Sequence, residues 1–296
     1  MASFLTPAIE PDGYIPYRAL RRWQKVDMDL LDVREGLSVL DVGCGEGYLL
    51  SKAARRASPG RAPATRIRVR ALALGMDLDE SRLRASRDGL SDSCRPGQSP
   101  IELAVADGQR LPFADASFDR IICTETLEHV ADAQLALHEL ARVLRPGGRL
   151  AISVPHFLCE AILYRLIRGY LEFPGGHRRI FTPRTLTRAL ARADLQPYAG
   201  YLRDSLEATY WILLSLLSRP PRHLDGVLAA LEQWRARTRA EPYSRLYHAA
   251  DQLGNRLLPK SVVVYALKPA CPARLPDGQA RLSDRQTGRP AKSPLR

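Results

Sequence analysis

The sequence lacks the residues that staple small or metal-bound folds. Its five cysteines, Cys44, Cys94, Cys123, Cys159 and Cys271, are odd in number and form no C-x-x-C pair. This argues against a disulfide framework and against a zinc knuckle, and a cytoplasmic, reducing location is expected. Long apolar runs are also missing. The longest uncharged apolar stretch, Ala208–Ser218, has eleven residues, against the roughly 20 needed to cross a bilayer. The opening MASFLTPAIEPDGYIPY has no basic region followed by an apolar run, so it does not read as a signal peptide. Nor is there a run of five or six basic residues. The densest groups, Arg66–Arg70 and His177–Arg179, are short, so the net charge of +12 reads as an arginine-rich surface rather than a nucleic-acid stripe.

What is present is ordinary globular material. The 296 residues, 45% of them hydrophobic, suffice for one large α/β domain with an elaboration. Residues 1–36 read as an irregular arm followed by a helix from Tyr17 to about Val33. Residues 37–155 alternate strands and helices. The strands are Leu37–Val42, Val69–Leu78, Ile101–Ala106, Phe118–Cys123 and Leu150–Val154, and the helices are Tyr48–Ala57, Asp79–Gly89 and Asp132–Leu144. Such alternation predicts an α/β fold with a doubly wound, mostly parallel sheet whose strand C-termini share one edge, where ligands bind. Residues 156–268 change character. Apolar helices at Phe157–Leu171 and Leu206–Leu217 read as a lid, Thr182–Ala193 is an amphipathic helix, and late strands at Gln196–Arg203 and Ser261–Leu267 complete a seven-stranded sheet. Residues 269–296 read as a disordered basic tail.

The informative segment is Val39-Leu40-Asp41-Val42-Gly43-Cys44-Gly45-Glu46-Gly47-Tyr48-Leu49. A strand runs into three glycines at alternate positions, then into a helix. Glycine permits positive φ and lets a ligand approach the backbone. The nicotinamide fingerprint is G-x-G-x-x-G, whereas this turn is G-x-G-x-G. Asp41 would repel a pyrophosphate but suits the amino group of an amino-acid-like ligand.

This segment resembles motif I of the class I S-adenosylmethionine (SAM)-dependent methyltransferases, which are Rossmann-like. Three further segments fall where that family would put them. Gly75-Met76-Asp77-Leu78-Asp79 ends the second strand, and the resemblance gives Asp77, with Asp79 as the less favoured substitute, the ribose hydroxyls and Leu78 the adenine face. Val105-Ala106-Asp107-Gly108 ends the third, and Asp107 matches the acceptor of the adenine amino group. Phe118–Cys123, then Thr124-Glu125-Thr126-Leu127-Glu128-His129-Val130, then Leu144–Leu150, is similar to the type-11 branch of ubiquinone- and menaquinone-pathway enzymes. The resemblance covers about residues 37–155. It implies SAM as cofactor, held by Asp41, Gly43, Cys44, Gly45, Gly47, Asp77, Leu78, Asp107, Gly108 and Thr124.

Methyl transfer from a sulfonium requires alignment more than covalent catalysis, and a base helps when the acceptor is a hydroxyl. His129, His156 and His177 are the candidate bases. Glu125, Glu128 and His129 form an E-x-x-E-H group that would share a helix face. With His156 or His177 such a group can hold a divalent metal ion, as it does in some metal-dependent relatives. The branch also carries L-E-H-V without metal, as a loop under the methionine end of SAM, and no residue is assigned as a metal ligand here. The apolar helices point to a small, hydrophobic acceptor, or to peripheral contact with a membrane surface. Methyl transfer to oxygen of a small molecule is the leading reading. An RNA 2′-O-methyltransferase and a non-catalytic SAM-binding protein are the alternatives, and nucleic acid is disfavoured by the absence of a recognisable RNA module.

Overall fold

The computed structural model describes residues 26–58, 73–91, 101–167, 176–217 and 244–270, with four isolated positions between 226 and 233. The expected N-terminal arm, the loop before the second strand, the 92–100 loop and the basic tail from 271 onward lie outside the described residues.

Seven strands form one sheet: β1 (Val39–Val42), β2 (Ala73–Asp77), β3 (Ile101–Val105), β4 (Phe118–Thr124), β5 (Leu144–Pro155), β6 (Gln196–Arg203) and β7 (Ser261–Leu267). Their spatial order is β3-β2-β1-β4-β5-β7-β6. The pairs among β1 to β5 are all parallel, and β7 runs antiparallel to both of its neighbours. The order reverses between β1 and β4. Strand ends diverge at such a switch point and leave a crevice outside their C-termini.

Helices cover both faces. Among the described residues the main ones are α1 (Tyr48–Ala57), α2 (Glu80–Ser91), α3 (Ala133–Val143), α4 (Phe157–Leu166), α5 (Pro183–Arg192), α6 (Ser205–Leu217) and α7 (Ser244–Gly254). All four residues of β1 are buried, as a strand covered on both faces requires. One core joins β1, β2, β4, β5 and β7 to α3 and α5 through Leu40, Ile121, Leu137, Leu140, Leu186 and Leu190. The other joins the opposite face to α1 and to Val26–Val33. Local chemistry sets the helix starts. The Asp132 side chain accepts from the N–H groups of Gln134 and Leu135, and Thr182 and Thr185 form a capping box with proline following the cap.

Leu137 is fully buried between α3 and the sheet. Leu137→Ala should cost about 2–5 kcal/mol of stability, read from the midpoint of urea denaturation. A shift under ~1 kcal/mol would mean that this face does not pack as described.

Two expectations are corrected. Residues 26–33 form turns rather than the end of a helix. Asp27 accepts from the Asp29 N–H through its side chain, and Asp32 sits at φ 59, which ends any helical run. There Asp32 pairs with Arg120 at 2.9 Å. In addition, β5 begins at Leu144, directly where α3 ends, so Arg145-Pro146-Gly147-Gly148 belongs to the strand rather than to a loop. No helix among the described residues is long and apolar enough to cross a membrane.

Candidate functional site

The crevice at the switch point is built from the ends of β1, β2, β3 and β4. After Val42 the chain turns through Gly43 (φ +73), Gly45 (φ +52) and Gly47 (φ +75) into α1. The N–H groups of Gly43 and Cys44 both donate to the Met76 carbonyl at 2.8 Å, which ties the turn to β2. A Cβ on Gly43 would lie 2.1 Å from Thr126 Oγ1, whereas one on Gly45 would meet nothing within 4 Å. The turn is therefore closed behind Gly43 and open in front of Gly45, the side from which a ligand can reach the backbone.

Carboxylates ring this opening. Asp77 ends β2; its Oδ2 accepts from the Gly45 N–H at 3.1 Å and its Oδ1 from the Asp79 N–H at 3.0 Å. Each oxygen keeps a lone pair for a hydroxyl. Beside it Leu78 is 64% exposed, an apolar side chain presented where a flat ring could cover it. Asp107 follows β3, and both of its oxygens accept from Gln109 Nε2 at 3.1 Å. Gln109 Oε1 in turn accepts from the Asp132 N–H at 2.7 Å, linking this carboxylate to the cap of α3. Gly108 lies close to Val42, since a Cβ there would come within 3.3 Å of its side chain.

Asp41 is the unusual member. It is buried in β1, and neither carboxylate oxygen has a hydrogen-bond partner among the described residues. Burial, and then the charge of Asp77, push it up to about 7, against a smaller downward pull from the Leu50 amide, which does not reach hydrogen-bonding geometry. A buried carboxylate without donors is costly. A ligand ammonium, directly or through a bridging water, supplies the missing donor. Cys44 is half-lined by the same carboxylates: burial, then Asp41 and Asp77, raise its thiol far above the ordinary range, so it packs and does not react. Thr124 is buried at the end of β4 and sits opposite Ser153 of β5.

The histidines separate. His156 is buried and caps α4, its Nδ1 accepting from the Leu158 N–H at 3.3 Å; burial lowers its pKa. His129 and His177 come together, ring centroids 5.0 Å apart. The E-x-x-E-H group is not helical: residues 125–130 are a turn, with Glu125 at φ 50. That left-handed residue swings Glu125 away, where it accepts from Ser153 Oγ at 2.9 Å, so the expected shared face does not form. Sequence reasoning missed Thr126, Gln109 and Glu160. Thr126 lies inside the Thr124–Val130 segment already singled out and Gln109 directly follows Asp107-Gly108, whereas Glu160 carried no local signal.

A glycine turn ringed by carboxylates, at the switch point of a sheet ordered β3-β2-β1-β4-β5-β7-β6, is the arrangement of a SAM-binding Rossmann-like domain. Residues 40–152 match the family model described as a methyltransferase domain. Over these residues the chain is similar to the class I SAM-dependent methyltransferase domains of the type-11 branch. Over 128 residues the chain is 38% identical to Methyltransferase GfsG of Streptomyces halstedii, covering 42% of this chain and 39% of that protein. Over 133 residues it is 36% identical to the ubiquinone/menaquinone biosynthesis C-methyltransferase UbiE of Bordetella avium, covering 45% and 46%. The matched stretch thus spans less than half of each relative. Among solved structures, YcgJ of Bacillus subtilis shares the fold at a TM-score of 0.52 and 19% identity, covering 82% of this chain and 97% of that one.

Proposed function

We propose that the chain transfers the methyl group of SAM to a small molecule, with oxygen as the receiving atom. The single observation behind this reading is Asp41, whose two buried oxygens lack donors beside an open glycine turn. Two carboxylates at one turn suit a cationic ligand and disfavour phosphate. SAM, when bound, supplies a methyl carbon already activated by its sulfonium. The chain's own residues then bind and align. Asp41 holds the ammonium and Asp77 the ribose hydroxyls, Leu78 covers the adenine, and Asp107 takes its amino group. The turn Gly43–Gly47, with Gly108 and Thr124, shapes the walls. On the acceptor side stand His129 and His177, where a hydroxyl proton would leave, while His156 is committed to capping α4.

An apolar acceptor is supported by Phe157 and Ile180, large side chains left 39% and 38% exposed beside His156 and near His177. A carbon acceptor is the second reading, favoured by the C-methyltransferase title of the UbiE relative. No observation favours an RNA acceptor or binding without turnover.

The test is calorimetric titration with S-adenosylhomocysteine. The unmodified chain should bind in the micromolar range. Asp77→Ala should weaken binding by at least about 100-fold, since two hydrogen bonds to a charged group are worth ~1.5–3 kcal/mol each. No binding by the unmodified chain would overturn the reading.

A further inference from the structure

We propose that Gln109 is a positioning residue that sets the purine specificity of the crevice. It clamps the Asp107 carboxylate so that the site takes an exocyclic amino group and rejects a keto oxygen in its place. This selectivity rests on SAM being the ligand of the crevice.

Gln109 bridges two partners of fixed sense. The ionised Asp107 carboxylate can only accept, and both of its oxygens lie 3.1 Å from Gln109 Nε2. The Asp132 N–H can only donate, and it reaches Gln109 Oε1 at 2.7 Å. The neighbours thus decide which way the amide points, because a flipped amide would set oxygen against carboxylate and NH2 against N–H. The Gln109 backbone N–H adds a further donor to Asp107 Oδ1 at 2.9 Å. An ionised carboxylate has about four acceptor sites. Gln109 occupies two on Oδ1 and one on Oδ2, so the open site lies on Oδ2 and its direction is fixed.

A fixed acceptor discriminates where a free one does not. The adenine amino group donates to it. A 6-keto purine instead presents an oxygen there and carries its donor on the neighbouring ring nitrogen. A free carboxylate would turn to meet that donor, whereas a clamped one faces the oxygen and loses the bond. Sites built around one hydrogen-bonding group reject analogues that leave it unpaired. The clamp is anchored outside the crevice. The Asp132 side chain caps α3 through the N–H groups of Gln134 and Leu135 at 2.9 and 3.0 Å. Farther along, Glu139 Oε2 accepts from the Leu111 N–H at 2.8 Å, and Arg142 donates to the Leu111 and Phe113 carbonyls at 3.0 and 2.7 Å. These ties hold residues 111–113 on α3 whether or not the Gln109 side chain is present. Its removal therefore frees the carboxylate and leaves the loop in place.

The experiment titrates the full chain calorimetrically, at pH 8, with S-adenosylhomocysteine and with S-inosylhomocysteine, whose base carries the keto oxygen. The unmodified chain should prefer the first by about 10- to 100-fold, the worth of one hydrogen bond to a charged acceptor. In Gln109→Ala, affinity for S-adenosylhomocysteine should fall about 10-fold and that for S-inosylhomocysteine by less than ~3-fold, so the preference shrinks. Gln109→Glu keeps the acceptor for the Asp132 N–H and removes only the side-chain donor to Asp107. It should narrow the preference as well, and it carries the test if Gln109→Ala fails to fold. No preference in the unmodified chain, or the same preference in both variants, would overturn the role of Gln109. With S-adenosylhomocysteine still bound by the unmodified chain, either result leaves the methyl-transfer reading standing. Failure of the unmodified chain to bind S-adenosylhomocysteine would overturn both.

Discussion

Gly43→Ala is expected to abolish measurable S-adenosylhomocysteine binding. Two penalties coincide at this residue. A φ of +73 costs an L side chain about 1–2 kcal/mol. The new methyl would also lie 2.1 Å from Thr126 Oγ1 and 3.1 Å from its Cβ and Cγ2, so either the 124–126 turn or the glycine turn must move. Movement of the turn breaks the paired 2.8 Å hydrogen bonds to Met76 and shifts the Gly45 N–H off Asp77. Gly45→Ala provides the contrast. Its Cβ meets nothing, so the unliganded protein should lose little beyond backbone strain, while the methyl occupies the space a ligand needs. Adding Thr126→Ala removes Oγ1 and Cγ2. It should restore part of the melting temperature and affinity of Gly43→Ala, and none of the affinity of Gly45→Ala. Unchanged affinity in Gly43→Ala, measured by calorimetry, would show that the turn is not the cofactor cradle.

The same contrast explains what could be read from the sequence. That Asp41, Asp77 and Asp107 would share one sheet edge was legible because each stands at or beside the C-terminal end of a run of strand length, and a parallel sheet aligns such ends on one edge. The bounds of β6 and β7 were legible for a similar reason, each being a short β-rich run between polar loops. The acceptor side was not legible. Spacing alone puts Glu125 and Glu128 on one helix face, yet a single left-handed residue at Glu125 redirects its side chain to Ser153. Glu160 sits inside an apolar helix and meets His177 only after the chain returns, 17 residues later. Local periodicity carries no information about such a meeting. His156 and His177 looked equivalent as residues following β5, and only the backbone N–H of Leu158 shows that His156 is occupied as a cap.

The affinity for S-adenosylhomocysteine should rise with pH and level off near neutrality, and Asp41 is the cause. Burial, and then Asp77, raise its pKa from the ordinary 3.8 to about 7 in the unliganded protein. A ligand ammonium favours the carboxylate and draws the pKa back down. Below about pH 7 binding must therefore release a proton, and affinity should fall roughly tenfold for each pH unit below that point, because one pKa unit is about 1.4 kcal/mol. Titrations at pH 6 in buffers of different ionisation enthalpy should report release of close to one proton. The unliganded protein should show the opposite trend. A carboxyl whose folded pKa lies above its unfolded value stabilises fully below pH ~4, and that contribution is lost as pH rises through about 7. Asp41→Asn keeps the shape and removes the titration. Its affinity should be weaker than that of the unmodified chain at pH 8 by about 10- to 100-fold, since a hydrogen bond to a charged partner is worth ~1.5–3 kcal/mol, and should not vary with pH from this source. At pH 8, without ligand, the variant should melt higher than the unmodified chain, because it no longer buries a charge without donors. A flat affinity profile for the unmodified chain between pH 5 and 8 would remove Asp41 from the ammonium site and, with it, the observation that most favours SAM.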